Sequence, residues 1–222
     1  MGSFQIARVF GIPIRLHITL IIVLAFIAVE SLIKLGPAAI VVGTIMIVSL
    51  FASIVLHELG HSLVAIRKGC RVRDILLLPI GGMAQLDSMP TNPKDEFQVA
   101  IAGPVVSFLL AVLAWGAGDL LKAAGFATAS ELVIWFGKFN LMLLLFNLLP
   151  SFPMDGGRIF RAWLTPRVGR LIATGIAAKV GRFMAILFGI AAVFYYHNIF
   201  LLIIAIFIYQ AAGSEYRMVR IQ

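Results

Sequence analysis

Two histidines four residues apart flank a glutamate in the string His57-Glu58-Leu59-Gly60-His61. On a helix this spacing puts both imidazoles on one face, within reach of a single metal ion. Glu58 lies beside them, where it could act on a water held by that metal. A hydrolytic zinc site takes three protein ligands and leaves one coordination position open. The stretch after His61, Ser-Leu-Val-Ala-Ile-Arg, holds no further histidine. The third ligand must therefore come from elsewhere in the chain.

The string closes an apolar run over residues 38–56. A charged group at mid-span costs about 2.5–3.5 kcal/mol on insertion scales, so an acid and two imidazoles within two turns need compensation. A metal ion provides it. A helix rises about 1.5 Å per residue, which puts His61 roughly 9 Å and His57 roughly 15 Å from Arg67 at the cytoplasmic edge. The site then lies inside the membrane, nearer the cytoplasm.

The whole composition agrees with a lipid setting. Of 222 residues, 61% are hydrophobic and 13% charged, against about a quarter charged in a soluble domain. No linker, repeat or low-complexity tract divides residues 1–222, which read as one domain. The net charge of +8 reflects Lys and Arg kept on cytoplasmic loops rather than a nucleic-acid partner. A single cysteine, Cys70, excludes an internal disulfide and a cysteine-based metal cluster. The N-terminus lacks a cleavable signal pattern.

Runs long enough to cross a bilayer cover residues 16–36, 38–66, 97–121 and 131–149, then a longer region from about 173 to 212. That region is either one long helix or two hinged at His197–Asn198. With six spans and a cytoplasmic N-terminus, only Lys34, Lys122 and Lys138 of the eighteen basic residues fall outside. Five spans would export Arg217 and Arg220 against the positive-inside bias. Lys179 and Arg182 then lie early in the fifth span, where their stems can snorkel to the surface. Between the second and third spans, residues 72–87 read as an apolar β-hairpin turning at Gly81-Gly82, with Pro79 arguing for an edge strand. The expected fold is an all-α polytopic membrane protein of about six transmembrane helices with this membrane-associated hairpin. Both termini face the cytoplasm across the cell membrane.

This topology sorts the candidates for the third ligand. Glu30, Asp119, Glu131 and His197 fall toward the far side. Asp74, Asp87, Asp95 and Glu96 are expected in wet loops, and Glu215 in the C-terminal tail. Asp155 differs, because it follows the fourth span directly in Asn147-Leu-Leu-Pro150-Ser-Phe-Pro153-Met-Asp155-Gly156-Gly157-Arg158. Two prolines break the helix there, and Gly156-Gly157 allow unusual backbone angles. Broken backbone at membrane depth is tolerated only where it is buried in protein or lines a wet cavity. Asp155 is the expected third ligand; the competing reading makes it a cap on the following helix.

At these two strings the chain resembles the site-2 protease family of intramembrane zinc metalloproteases, particularly its compact prokaryotic members. His57-Glu58-Leu-Gly-His61 is similar to the family's first motif, and Asn147-x-x-Pro150-x-x-Pro153-x-Asp155-Gly156 to its second. The Gly81-Gly82 hairpin and the Ala102-Gly103-Pro104 step also resemble the family. The resemblance implies one zinc ion per chain on His57, His61 and Asp155, with Glu58 as the acid/base. It implies that Asn147 contacts substrate or the developing oxyanion, and that the hairpin presents a transmembrane protein substrate. It also implies lateral substrate entry between the first and last spans. Many relatives carry PDZ or CBS domains, for which these 222 residues have no room.

The reaction expected is amide hydrolysis with Glu58 moving the proton. A helical substrate must first unwind, and pairing with the hairpin edge would recover its backbone hydrogen bonds. His17 reads as an interfacial histidine with a local hydrogen bond, and Arg158 and Arg161 as facing lipid phosphates. Two other function classes compete: a metal transporter using His and Asp as an ion pathway, and a catalytically silent protein stapled by zinc. The sequence leaves the oligomeric state open.

Overall fold

The structure is a computed structural model and describes residues 2–35, 37–79, 81–87 and 90–221, excluding the side chains at 31, 34, 35, 37–39, 200 and 221. Ile80 of the expected hairpin and the side chain of Lys34 lie outside that description. The chain divides into two compact units, Met1–Met89 with Val105–Leu144, and Pro90–Pro104 with Leu145–Gln222.

The first unit opens with a hairpin, β1 (Ser3–Val9) and β2 (Ile12–His17), that the apolar-run reading missed. Its two-residue turn has positive φ at both Phe10 (50°) and Gly11 (80°), as the twist of the flanking strands requires. Two helices follow, α1 (Ile18–Leu35) and α2 (Pro37–Arg67), then β3 (Val72–Leu78) and β4 (Gly81–Leu86). The strands form one sheet in the order β1-β2-β3-β4, with β2 and β3 parallel and both outer pairs antiparallel. The fold is mostly helical, as expected, but a four-stranded sheet replaces the lone hairpin.

β3 is central because β2 occupies its other side, and β4 is the edge. Pro79 sits in the turn, outside both strands, which suits a residue with no N–H to give a ladder. The two glycines expected to form that turn instead open β4. Ile12 and Ile14 of β2 alternate inward, as do Ile75 and Leu77 of β3, and they pack with Leu20, Ile54 and Leu59 in one buried cluster. The sheet is thereby fastened to α2, the helix that carries His57, Glu58 and His61.

Most of α3 (Pro93–Ala123) and α4 (Ala127–Asn147) complete this unit. Helix α2 is held to them by polar side chains. Asn140 Nδ2 donates to Ser53 Oγ at 2.9 Å, and Ser53 Oγ donates to the Ser49 carbonyl at 3.0 Å. Gly118 and Gly137 let α3 and α4 approach closely: a Cβ at Gly137 would lie 2.9 Å from the Trp115 ring. Small residues and interhelical hydrogen bonds are the means by which helices associate in lipid.

In the second unit, α5 (Asp155–Val168), α6 (Arg170–Phe194) and α7 (Ile199–Ile221) join the start of α3. The long C-terminal apolar region is two helices, broken where the hinge was expected. His197 takes a positive φ of 49°, and Asn198 Oδ1 caps α7 by accepting from the Leu201 N–H at 3.3 Å. Ala177 and Gly181 of α6 pack against Ala212 of α7, Ala185 against Ile208, and Gly189 against Ala205.

Arg161 is corrected most sharply. Expected to face lipid phosphates, it is only 1% exposed. Its Nε donates to Glu96 Oε1 at 2.7 Å, its Nη2 contacts the same oxygen, and its Nη1 donates to Glu215 Oε1 at 2.7 Å. The guanidinium also lies over the Phe152 ring, 5.0 Å from its centre. Glu96 is therefore a buried residue of α3 and Glu215 a helical residue of α7, where a wet loop and a tail were expected. Asp74 is likewise buried on β3, 3.9 Å from Arg15.

Among the described residues, four helical segments are long and apolar enough to cross a membrane: Ile40–Arg67, Pro93–Ala123, Ala127–Asn147 and Arg170–Phe194. Ile18–Glu30 is a shorter apolar segment. Large apolar side chains such as Phe26, Leu113, Met142 and Phe183 are more than half exposed, the pattern of helices solvated by lipid. The protein is a multi-pass membrane protein.

Candidate metal centre and active site

The first unit brings His57, Glu58 and His61 together on α2, as the helical spacing requires. Both histidines are buried, at 2% and 4% exposure. Their Nε2 atoms face one another at 3.2 Å. Two imidazoles bound to a tetrahedral zinc at about 2.0–2.1 Å put their nitrogens about 3.3 Å apart, so the pair has the spacing of two ligands to one ion.

The other nitrogen of His57 is also engaged. Its Nδ1 lies 2.8 Å from the hydroxyl of Ser107 on α3. Metal-binding histidines are commonly held this way, with the second ring nitrogen fixing ring orientation and tautomer. The sequence reading missed Ser107. Its only signal was a serine in an apolar span, one turn after the Ala102-Gly103-Pro104 step.

Glu58 reaches the sheet. Its Oε2 accepts a hydrogen bond from the backbone N–H of Ala84 on β4 at 3.0 Å. The approach depends on Gly82: a Cβ there would lie 2.6 Å from Ile54 Cγ2 and 3.1 Å from Glu58 Cγ. The glycine pair read as a turn thus has a different use at its second member, which lets the edge strand lie against the helix. Ser62 Oγ donates to the Glu58 carbonyl at 2.8 Å, a bond internal to α2.

The second unit holds Asp155 and Asn147. Asn147 ends α4 and is half-buried. Asp155 is 8% exposed and is the first residue of α5. The helix takes Met154 as its N-cap with no side-chain cap hydrogen bond, and Asp155 is the acidic residue of its first turn. The glycines after it are helical and lack the positive φ expected of them. They serve close approach instead. A Cβ on Gly156 would run into the Leu148 and Leu149 carbonyls, and one on Gly157 would lie 2.7 Å from the Ser151–Phe152 backbone. The loop carrying Asp155 is wound tightly on the first turn of α5, and Phe152 within it is only 1% exposed.

His17 stands apart from this chemistry. Its Nδ1 lies 2.7 Å from Thr19 Oγ1, the local hydrogen bond expected of it.

A family model, Peptidase family M50, matches residues 45–129 and 120–188. Both motif strings lie inside those matches. The chain belongs to peptidase family M50. A zinc metalloprotease of Methanocaldococcus jannaschii is 39% identical over 227 residues, covering 99% of this chain and 62% of that protein. A putative zinc metalloprotease of Synechocystis sp. is 32% identical over 236 residues, covering 100% of this chain and 62% of that one. The chain therefore spans about three fifths of the length of these curated M50 relatives. Among solved structures, a site-2 protease from Methanocaldococcus jannaschii is similar with a TM-score of 0.70 and 36% identity, over 96% of this chain and 95% of that one.

Proposed function

We propose that this M50 protein is a zinc-dependent intramembrane endopeptidase that cleaves transmembrane protein substrates near the cytoplasmic side of the bilayer. The observation that carries the proposal is the buried His57–His61 pair, its Nε2 atoms 3.2 Å apart, with a carboxylate beside it on a helix long enough to span a membrane. His57, His61 and Asp155 are all buried and offer two imidazoles and a carboxylate, a donor set able to hold a metal ion. Three such ligands leave a coordination position open, as a catalytic zinc requires. Bound there, zinc would supply a Lewis acid that polarises the scissile carbonyl and acidifies water.

The remaining work falls to the chain. Glu58 takes the proton of the attacking water on its carboxylate and passes it to the departing amine nitrogen, so the carboxylate is regenerated. Ser107 keeps the His57 ring in the orientation that directs Nε2 inward. The Asn147 amide donates to the oxyanion as it develops. The free edge of β4 pairs with an unwound stretch of substrate.

The topology we propose has six spans, α1 to α4 plus α6 and α7, with both termini cytoplasmic. At 14 residues, α5 is too short to cross. The family match runs through residues of both units, which supports one metalloprotease domain over 1–222. Nothing in the M50 match or the relatives' names favours the metal-transporter alternative.

Purified protein with a fluorescent transmembrane substrate tests the reading. Cleavage should vanish on metal chelation and return with zinc. Zinc binding without cleavage of any of several substrates would favour the silent, zinc-stapled protein.

A further inference from the structure

Outside the candidate catalytic residues, Arg182 and Arg217 of the second unit line one pocket; among the described residues they share the lack of an acidic partner with Arg158, Arg167, Arg170 and Arg220. Arg182 lies halfway along α6, twelve residues from Arg170 at its start and inside a segment long and apolar enough to span a membrane. By the helix rise it sits roughly 18 Å along the axis from Arg170. Among the described residues, neither Arg182 nor Arg217 of α7 has a carboxylate within ion-pair distance. By contrast, Arg161 in the same unit is paired with two. Arg217 lies four residues before the end of α7 and shares a pocket with Arg182, whose long stem can carry its guanidinium toward that end.

The surroundings of Arg182 are shaped. Its guanidinium lies over the Tyr209 ring, 5.4 Å from the centre, and it crosses α7 where Gly213 has no side chain. A Cβ on Gly213 would collide with Arg182 Nη2 and lie 3.3 Å from its guanidinium carbon. Arg182, Tyr209, Gln210, Gly213 and Arg217 line a pocket of about 310 Å³. Two guanidinium forks and a carboxamide facing one open pocket supply donors in excess. Guanidinium forks match the oxygens of a phosphate.

We propose that this pocket binds a phosphate group, and that its occupant is the headgroup of an anionic phospholipid seated against α6 and α7. The lipid source follows from position, because the pocket is carried by a membrane-length helix whose neighbouring faces (Phe183, Ile186, Ile206) are apolar and exposed. Basic pockets between transmembrane helices take acidic headgroups for this reason.

The experiment is native mass spectrometry of the full chain in mixed micelles containing phosphatidylglycerol and phosphatidylcholine, repeated with inorganic phosphate present. One phosphatidylglycerol should be retained in preference to phosphatidylcholine. Each of Arg182→Gln and Arg217→Gln should weaken retention about fivefold, and the double variant about thirtyfold. Gly213→Ala keeps every charge but displaces the Arg182 guanidinium, so it should also weaken retention while the melting temperature stays close to wild type. Competition by millimolar phosphate would assign the site to free phosphate and overturn the lipid assignment. Equal retention of the two lipids, or unchanged retention in Gly213→Ala and the double variant, would overturn the site itself.

Discussion

Replacing Gly82 by alanine probes the contact between the edge strand and the proposed acid/base. The added Cβ would lie 2.6 Å from Ile54 Cγ2, whereas carbon atoms settle at about 3.5–4.0 Å. Something must move by about 1 Å. Ile54 is only 8% exposed and sits in the cluster that joins the sheet to α2. Its χ1 is stiff because it is β-branched in a helix. The hairpin is therefore the part that yields, carrying the Ala84 N–H away from Glu58 and shifting the edge on which substrate would pair. Overpacking of this kind costs about 1–3 kcal/mol of stability. A 1 Å misplacement of a reacting group can cost about 100-fold in rate. The assay is kcat/KM on a fluorescent transmembrane substrate, beside zinc content and melting temperature. The expected result is a loss of about two orders of magnitude in kcat/KM with zinc retained, partly recovered by adding Ile54→Ala, which removes the clashing methyl. Wild-type kcat/KM in folded, zinc-loaded Gly82→Ala protein would show that the close approach at Gly82 does not position Glu58.

Further outcomes follow from other contacts. Ser107→Ala should weaken zinc binding about 10- to 100-fold by freeing the His57 ring, measured by chelator competition; unchanged affinity would remove Ser107 from the site. Glu96→Gln leaves Arg161 with one of its two carboxylates, and Arg161→Met leaves Glu96 buried without its cation. Because breaking a buried pair costs about 3–5 kcal/mol, thermal unfolding should show Arg161→Met as the more damaging of the two. In a substrate, replacing helix-weakening residues near the scissile bond with leucine should slow cleavage, since the bound segment must unwind; equal rates would count against pairing with the β4 edge.

How much of this was legible in the sequence depends on the range of the interaction. The His57–His61 spacing is local, set by helix geometry alone, and the structure keeps it. The break at His197–Asn198 was readable because polar residues interrupt an apolar run. The N-terminal hairpin was hidden because its turn is Phe10-Gly11 rather than an Asn-Gly signal, and its second strand ends at His17, directly before the apolar helix α1. Ser107 and Arg161 were beyond reach for a different reason. Each is defined by a partner 50 or more residues away, His57 for one and Glu96 and Glu215 for the other. A pattern of charges along the chain predicts a membrane side for Arg161; it does not say that two glutamates wait there for it. Gly82 and Gly156 show the same limit, since sequence identifies a glycine but not whether it serves a turn or a close approach.

The most direct test of the central claim is the Glu58→Gln variant, with zinc content and substrate cleavage measured on the same preparation. Glutamine keeps an oxygen to accept from the Ala84 N–H but cannot carry the proton. The expected outcome is a folded protein with full zinc and no cleavage. Cleavage at the wild-type rate by zinc-loaded Glu58→Gln protein would contradict it.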